Sequence, residues 1–314
     1  LRNHALALAL AVLLDVLLGD PESWPHPVRF IGVGYTGLER FFRRQGPLTK
    51  VQGLVTVLLL AVLSAAVPFS ALYWVKPQVG RICLEGVLLY FCLSVRGLSD
   101  EVRPVRRALE QKRLPEARKL LSRVVGRDTG RLSPAEISRA AVETVGESFV
   151  DGFLSPVFWG FLLGAPGAFF FKAVSTGDSV IGHPEPPYRN FGWAAAKLDD
   201  VMNFIPARLS PLVLVPAALL SGLSGPGMLR SFFRDRLRHL SPNAAHGEAA
   251  FAGALGVRLG GMNFYGGKSY QQEQLNAGGK VCDMGDISKA IQLLWMGAFI
   301  LWLGLILVGW RMAP

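Results

Sequence analysis

The 314-residue chain reads as an all-α, multi-pass integral membrane protein with re-entrant or broken helices and a cytoplasmic helical insertion. Three observations predict this. Hydrophobic residues make up 51% of the chain and charged residues only 18%, where soluble domains carry about a quarter charged. The apolar residues are gathered into runs: "ALALALAVLLDVLLG" (5–19), "GLVTVLLLAVLSAAVPFSALYWV" (53–75), "ICLEGVLLYFCLSV" (82–95) and "AIQLLWMGAFILWLGLILVGW" (290–310). The last matches the roughly 20 apolar residues that cross a bilayer core. It ends on Trp310 and Arg311, an interfacial aromatic beside a cation. Finally, the basic residues sit between the runs: residues 20–52 hold Arg29, Arg40, Arg43, Arg44 and Lys50, and residues 96–139 hold twelve Arg and Lys.

The first run could pass for a signal peptide. It lacks a small-x-small cleavage site before the polar turn and contains Asp15, so it is assigned as a membrane helix. The following loop, "GDPESWPHPVRFIG" (19–32), is stiffened by three prolines and carries Asp20, His26 and Arg29. The second and third runs form a helical hairpin turning near "VKPQVG" (75–80). That hairpin places both basic loops on one side, which the positive-inside rule makes the cytoplasm.

Residues 96–150 have helical apolar spacing, broken at Leu114–Pro115. Ser133, Pro134 and Glu136 then read as N-cap, first helical position and the third residue of a capping box. In "FLSPVFWGFLLGAPGAFFFKAV" (153–174) the central "GAPG" predicts two half-helices meeting in a re-entrant hairpin; two full crossings are the alternative. Pro206, Pro211 and Pro216 predict that 205–225 also dips in and returns, which would bring all polar motifs to the cytoplasmic face. The chain is expected to be one membrane domain, 1–314, including the 96–150 insertion.

The net charge of +10 follows from the positive-inside bias. No basic stripe is interleaved with aromatics, so nucleic acid is not an expected partner. Cys83, Cys92 and Cys282 are too few and too scattered for a zinc site or a disulfide framework.

Several polar groups point to chemistry. Glu143, Glu147 and Asp151 recur at i, i+4 and i+8, which stacks three carboxylates on one helix face. Like charges at that spacing repel, so either solvent, Arg139 or a bound magnesium must compensate. The segment "KAVSTGDSVIGHPEPPYRNFGWAAAKLDD" (172–200) is dense in titratable groups: Lys172, Asp178, His183, Tyr188, Arg189, Lys197, Asp199 and Asp200. Its Pro-rich middle reads as a binding loop. Adjacent aspartates at a helix mouth suggest a metal-diphosphate site, but "DDVMN" has Asn203 where a DDxxD pattern has its next acid. Arg208 can contact phosphate or pair with an Asp. In "SPNAAHGEAAFAGALGVRLGGMNFYGG" (241–267), Asn243, His246 and Glu248 lie near a helix start, and the small residues are expected to serve tight packing.

Together, "LLDVLLGDPESWPHPVRFIG", "ISRAAVETVGESFVDG", "KAVSTGDSVIGHPEPPYRNFGWAAAKLDDVMNFIPARL" and "SPNAAHGEAAFAGALGVRLGG" resemble the CbiB/CobD family of adenosylcobinamide-phosphate synthases. The blocks stand in family order over nearly the whole chain. The resemblance implies a multi-pass inner-membrane enzyme of cobalamin biosynthesis. Its reaction joins an aminoalcohol phosphate to a propionate carboxylate of adenosylcobyric acid, using ATP and magnesium. Glu147, Asp151, Lys172, Asp178, Tyr188, Arg189, Asp199, Asp200 and Arg208 match the family pattern. Ser148 and Ser175 stand where the family usually has Asn, and His183 where it usually has Tyr, which bears on specificity.

With that reaction in view, Glu147, Asp151 and either Asp178 or Asp199–Asp200 are the expected magnesium ligands. Lys172, Arg189 and Arg208 are expected to hold phosphates, and Glu143 or His183 to act as base. His26, Arg29, Tyr188, Lys197 and Asn243 complete the candidate substrate contacts. Expected partners are the corrinoid, the aminoalcohol phosphate, membrane lipid and other cobalamin-pathway enzymes. Two other readings compete: a magnesium-dependent membrane transferase acting on a lipid diphosphate, and a non-catalytic corrinoid or cation transport component.

Overall fold

The computed structural model describes residues 1–21, 23–183, 185–239 and 241–311. In chain order the helices are α1 (Arg2–Leu18), α2 (Pro27–Gln45), α3 (Lys50–Tyr73), α4 (Gln78–Tyr90), α5 (Val95–Glu110), α6 (Leu114–Leu121) and α7 (Pro134–Phe149). A π-helical turn, Val150–Leu154, leads into α8 (Ser155–Ile181), followed by α9 (Tyr188–Phe191), α10 (Trp193–Leu220), α11 (Gly225–Asp235) and α12 (Ala244–Leu255). Strands β1 (Leu259–Tyr265) and β2 (Lys268–Leu275) precede the last helix, α13 (Met284–Arg311).

Five helical stretches among the described residues are long and apolar enough to cross a membrane: Lys50–Tyr73, Gln78–Glu110, Pro134–Ile181, Trp193–Leu220 and Met284–Arg311. Only 22% of the apolar window of α3 is buried against protein, which identifies lipid as the medium its outer face is built for. α1 has 17 residues, about 26 Å at 1.5 Å per residue, slightly short of a bilayer core.

The chain divides into two compact units. The first comprises Leu1–Ser94, Asp151–Phe204 and the segment from Trp302; the second comprises Val95–Val150 and Ile205–Leu301.

In the first unit α1 packs on α4, and α2 and α3 pack on α8. Its core holds Tyr35, Val57, Phe171, Val174, Ile181 and Phe191. Tyr35 is fully buried and donates its hydroxyl to the carbonyl of Ala173 at 3.0 Å, which ties α2 to α8. The chain reverses inside α8. Gly164 has φ +70° and ψ −164°, far from helical values, and a Cβ built on Gly160 would lie 3.6 Å from that of Ala168. A straight helix would separate those two residues by roughly 12 Å. The expected hairpin at "GAPG" is therefore present, and it turns on a backbone conformation that glycine adopts without cost.

The second expected hairpin is absent. Residues 193–220 form one helix with Pro206, Pro211 and Pro216 inside it. Proline removes one backbone hydrogen bond but holds φ near −65°, a helical value. Three prolines can bend the helix, whereas a reversal needs a residue outside the helical basin, as at Gly164.

In the second unit α12 packs against both α7 and α11. A Cβ on Gly247 would stand 2.1 Å from the Gly146 carbonyl oxygen, so this contact tolerates only glycine. The Gly/Ala-rich block thus serves close helix packing. The Ser133 capping box forms as expected: Glu136 N–H donates to Ser133 Oγ at 3.4 Å, and Ser133 N–H donates to Glu136 Oε2 at 2.8 Å. The break at Leu114–Pro115 is the start of α6. The antiparallel hairpin β1–β2 was not expected in an all-α chain. Its tip is Tyr265–Gly266–Gly267–Lys268, and a two-glycine turn between strands is a hairpin signal that "FYGGKSY" does carry.

Candidate active site

Three sequence-remote motifs meet around Lys172 in the first unit. The half-buried ammonium lies within electrostatic range of Asp151, Asp199, Asp20 and the Cys92 thiol. α8 carries Lys172, the π-helical turn carries Asp151, α10 carries Asp199, and the proline-rich loop carries Asp20. Tyr90 anchors that loop by donating its hydroxyl to the Gly19 carbonyl. His26 and Arg29 lie beside Asp20, at 3.8 and 3.7 Å. Burial pushes the His26 imidazole below its ordinary pKa; Asp20 opposes this, and Arg29 and Lys172 add to it.

The two adjacent aspartates of "LDD" separate by role. Successive helical residues point about 100° apart. Asp199 faces Lys172 and accepts a hydrogen bond from Asn203 Nδ2 at 2.9 Å. Asn203, 1% exposed, also meets the hydroxyl of Ser155 through its amide oxygen. Asp200 instead pairs with Lys197 at 3.2 Å. Asp178 comes six residues after Lys172, about 120° round the helix.

Next to α9 a cavity of about 500 Å³ is lined by Lys50, His183, Arg189, Asn190 and Trp193. The Lys50 ammonium lies 5.0 Å from the Trp193 ring centroid. Tyr188 packs against His183 and under Arg43. Lys50, the first residue of α3, was not among the expected contacts; only its place in a basic loop marked it.

In the second unit Glu143 lies at the centre of a clamp. Its carboxylate meets Arg127 Nη2 at 2.7 Å and Arg139 Nη1 at 3.7 Å, and accepts the Gly260 N–H at 2.7 Å. Arg139 also donates to the carbonyls of Gly260 and Met262, and both arginines donate to Asn263 Oδ1 at 2.8 Å. Asn263 and Gln272 continue the chain of bonds to Glu248. Burial first, then the charges of Glu143 and Glu147, push Glu248 well above the usual carboxylate range. Glu147 is exposed one turn after Glu143. α7 ends at Phe149, and Asp151 belongs to the π-helical turn that follows. Through these bonds Glu143 holds the β-hairpin on α7.

Near the start of α12, Arg208 donates to Asn243 Oδ1 at 3.2 Å. His246 is fully buried, and neither ring nitrogen has a hydrogen-bond partner among the described residues. Burial, then Arg208 and Arg236, push its pKa down to about 4. Two guanidiniums beside a neutral imidazole and an Asn amide form an anion-seeking group. Arg236 escapes sequence reasoning because it stands at no recognisable spacing from Arg208 or from the His246 block.

No three His, Cys, Asp or Glu side chains among the described residues are grouped to hold a metal ion. Magnesium carried on a nucleotide needs only one or two protein carboxylates, with phosphate and water completing its shell. Asp151 and Asp199, both acting on Lys172, fit that requirement.

The family model described as CobD/Cbib protein matches residues 8–294. The chain belongs to the CobD/Cbib family. Relatives include the "Cobalamin biosynthesis protein CobD" of Clostridium perfringens, 38% identical with 93% of each chain covered. The protein of that name from Klebsiella pneumoniae is 42% identical, again over 93% of each chain. That of Geobacter metallireducens is 46% identical over 82% of each. No solved structure matches the chain. The family resemblance read from the four sequence blocks is thus correct, and the CobD/Cbib blocks supply Asp20, Asp151, Lys172 and Asp199 to one place.

Proposed function

We propose that this protein works in cobalamin biosynthesis as an ATP-dependent amide ligase, joining the amino group of an aminoalcohol phosphate to a carboxylate of a corrinoid. The observation that carries the reading is the meeting of three remote motifs at Lys172, in a chain whose relatives are named for cobalamin biosynthesis.

A carboxylate and an amine do not condense in water. The corrinoid carboxylate oxygen attacks the γ-phosphorus of ATP, ADP leaves, and an acyl phosphate forms. The amine nitrogen then attacks the acyl carbon, inorganic phosphate leaves, and the nitrogen gives up its proton. Lys172 is suited to hold the transferring phosphoryl oxygens by preorganised charge. Asp151 and Asp199 would hold magnesium, which supplies charge neutralisation on the nucleotide phosphates. His26 is kept neutral by burial, next to Asp20, and fits acceptance of the amine proton. The cavity with Lys50, His183 and Arg189 fits polar substituents of a large substrate.

The lipid-diphosphate reading is disfavoured. Its metal pattern needs paired aspartates acting together, whereas Asp200 is engaged with Lys197 and Asn203 is spent on orienting Asp199. The enzyme is proposed to sit in the inner membrane with loops 20–52 and 96–150 in the cytoplasm. Labelling of the Lys and Arg within 20–52 and 96–150 from one side only in intact cells supports that, and labelling of those residues from both sides overturns it.

The deciding assay incubates detergent-purified protein with adenosylcobyric acid, magnesium-ATP and either aminopropanol phosphate or ethanolamine phosphate. Amide product separated by chromatography and followed by corrinoid absorbance, dependent on ATP, is the expected result. Corrinoid binding without product under all conditions would favour a carrier and overturn the ligase.

A further inference from the structure

A second polar cavity lies in the first unit, at the turn between α3 and α4. It encloses about 460 Å³, within the range of small-ligand sites, and its lining includes Phe69, Leu72, Lys76, Arg81, Glu85 and Leu163. Its floor is built. Glu85 is 2% exposed; its Oε1 lies 2.8 Å from His4 Nδ1 and accepts the Ala165 N–H at 3.1 Å. A Cβ on Gly164 would stand 2.3 Å from that same oxygen, so the α8 reversal and the His4–Glu85 pair occupy one tightly fitted spot.

The Glu85 carboxylate is thereby committed to His4 and to a backbone donor. Lys76 and Arg81 are both exposed at the rim, and neither forms an ion pair among the described residues. Two uncompensated cations over a cavity whose only acid is already engaged favour an anion. The other walls, Phe69, Leu72 and Leu163, are apolar, so the anion they suit carries a hydrocarbon portion. Position agrees. The membrane-spanning stretch of α3 ends at Tyr73, and Tyr73 and Trp74 are 62% and 76% exposed, as aromatics at the lipid headgroup level are. Cations at helix ends reach to that level as well.

We propose that this cavity binds the phosphate headgroup of an anionic phospholipid, with Lys76 and Arg81 on the phosphate and the acyl chains along the exposed face of α3. The site is independent of the amide chemistry: Gly164 precedes Lys172 on α8 by eight residues, and none of the cavity residues is assigned a role in catalysis.

The test compares full-length wild type with a Lys76→Ala/Arg81→Ala double variant in neutral detergent. Thermal unfolding is followed during titration with phosphatidylglycerol, phosphatidylcholine or sodium phosphate. Phosphatidylglycerol is expected to raise the wild-type midpoint saturably, with at least a tenfold weaker apparent affinity in the variant and recovery in Lys76→Arg. Phosphatidylcholine and inorganic phosphate are expected to leave the midpoint unchanged. Equal response of wild type and variant to phosphatidylglycerol would overturn the site. A shift by inorganic phosphate that depends on Lys76 and Arg81 would overturn the lipid assignment in favour of a free anion. Both variants change exposed side chains, so an unfolded protein is not the anticipated outcome, and an unchanged midpoint without lipid checks this.

Discussion

Asn203 Nδ2 donates to Asp199 Oδ2 at 2.9 Å, and Ser155 meets the other end of the same amide. A buried Asn thus holds one of two adjacent carboxylates toward Lys172 while the other turns to Lys197. Asn203 stands where the DDxxD pattern has an acid, and its amide bonds to Asp199.

Replacing Asn203 by Ala removes that hydrogen bond and leaves Asp199 to reorient. A hydrogen bond to a charged group contributes about 1.5–3 kcal/mol. The expected loss in kcat/KM is therefore roughly 10- to 150-fold, with circular dichroism unchanged. Steady-state amide formation by Asn203→Ala and Asp199→Asn checks this; wild-type rates in both would remove Asp199 from the site.

Lys172 lies within electrostatic range of Asp151, Asp199 and Asp20 together. Lys172→Met is expected to abolish product while the corrinoid still binds, read by retention of corrinoid absorbance on the purified protein. Turnover above a tenth of wild type would show that Lys172 only balances the aspartates.

The Arg127–Glu143 pair is buried, with side-chain exposures of 11% and 1%. Removing one partner of such a pair costs about 3–5 kcal/mol, because the other charge stays behind. Glu143→Gln and Arg127→Met should each lower the unfolding midpoint. The double variant should lose less than the sum, which a double-mutant cycle measures. Limited proteolysis should cut first between Tyr265 and Lys268, where the hairpin loses its clamp.

His246 gives a pH signature. Its native pKa of about 4 lies below the ordinary 6.5, so between those values the unfolded chain binds more protons than the native protein. Its contribution to stability is present above pH 6.5 and is lost as pH falls towards 4, at up to about 1.4 kcal/mol per pH unit. Chemical denaturation of wild type and His246→Gln over pH 4–7 should give a shallower dependence for the variant. Parallel curves would show that His246 carries no such shift.

Much of the architecture was legible in the chain. The apolar runs, the α3–α4 turn, the Ser133 cap and the reversal at "GAPG" all follow from local rules: burial length, hydrogen-bond capping, and a residue able to leave the helical basin. The three prolines of α10 misled because proline disrupts a hydrogen bond without leaving helical φ. The β-hairpin was missed because a seven-residue strand around a Gly-Gly turn is small against the surrounding helical signal.

What the sequence determined by itself was the solvent of the fold, the helix ends and the family, since each rests on short-range composition or on motifs read in order. Which residues act together was decided only in three dimensions. Asp20 and Lys172 are 152 positions apart in the chain, Asp199 and Asp200 are neighbours with different partners, and Arg236 stands beside His246 without any spacing to announce it. Electrostatic and hydrogen-bond partnership falls off within a few ångströms, and only packing of the helices brings such groups that close.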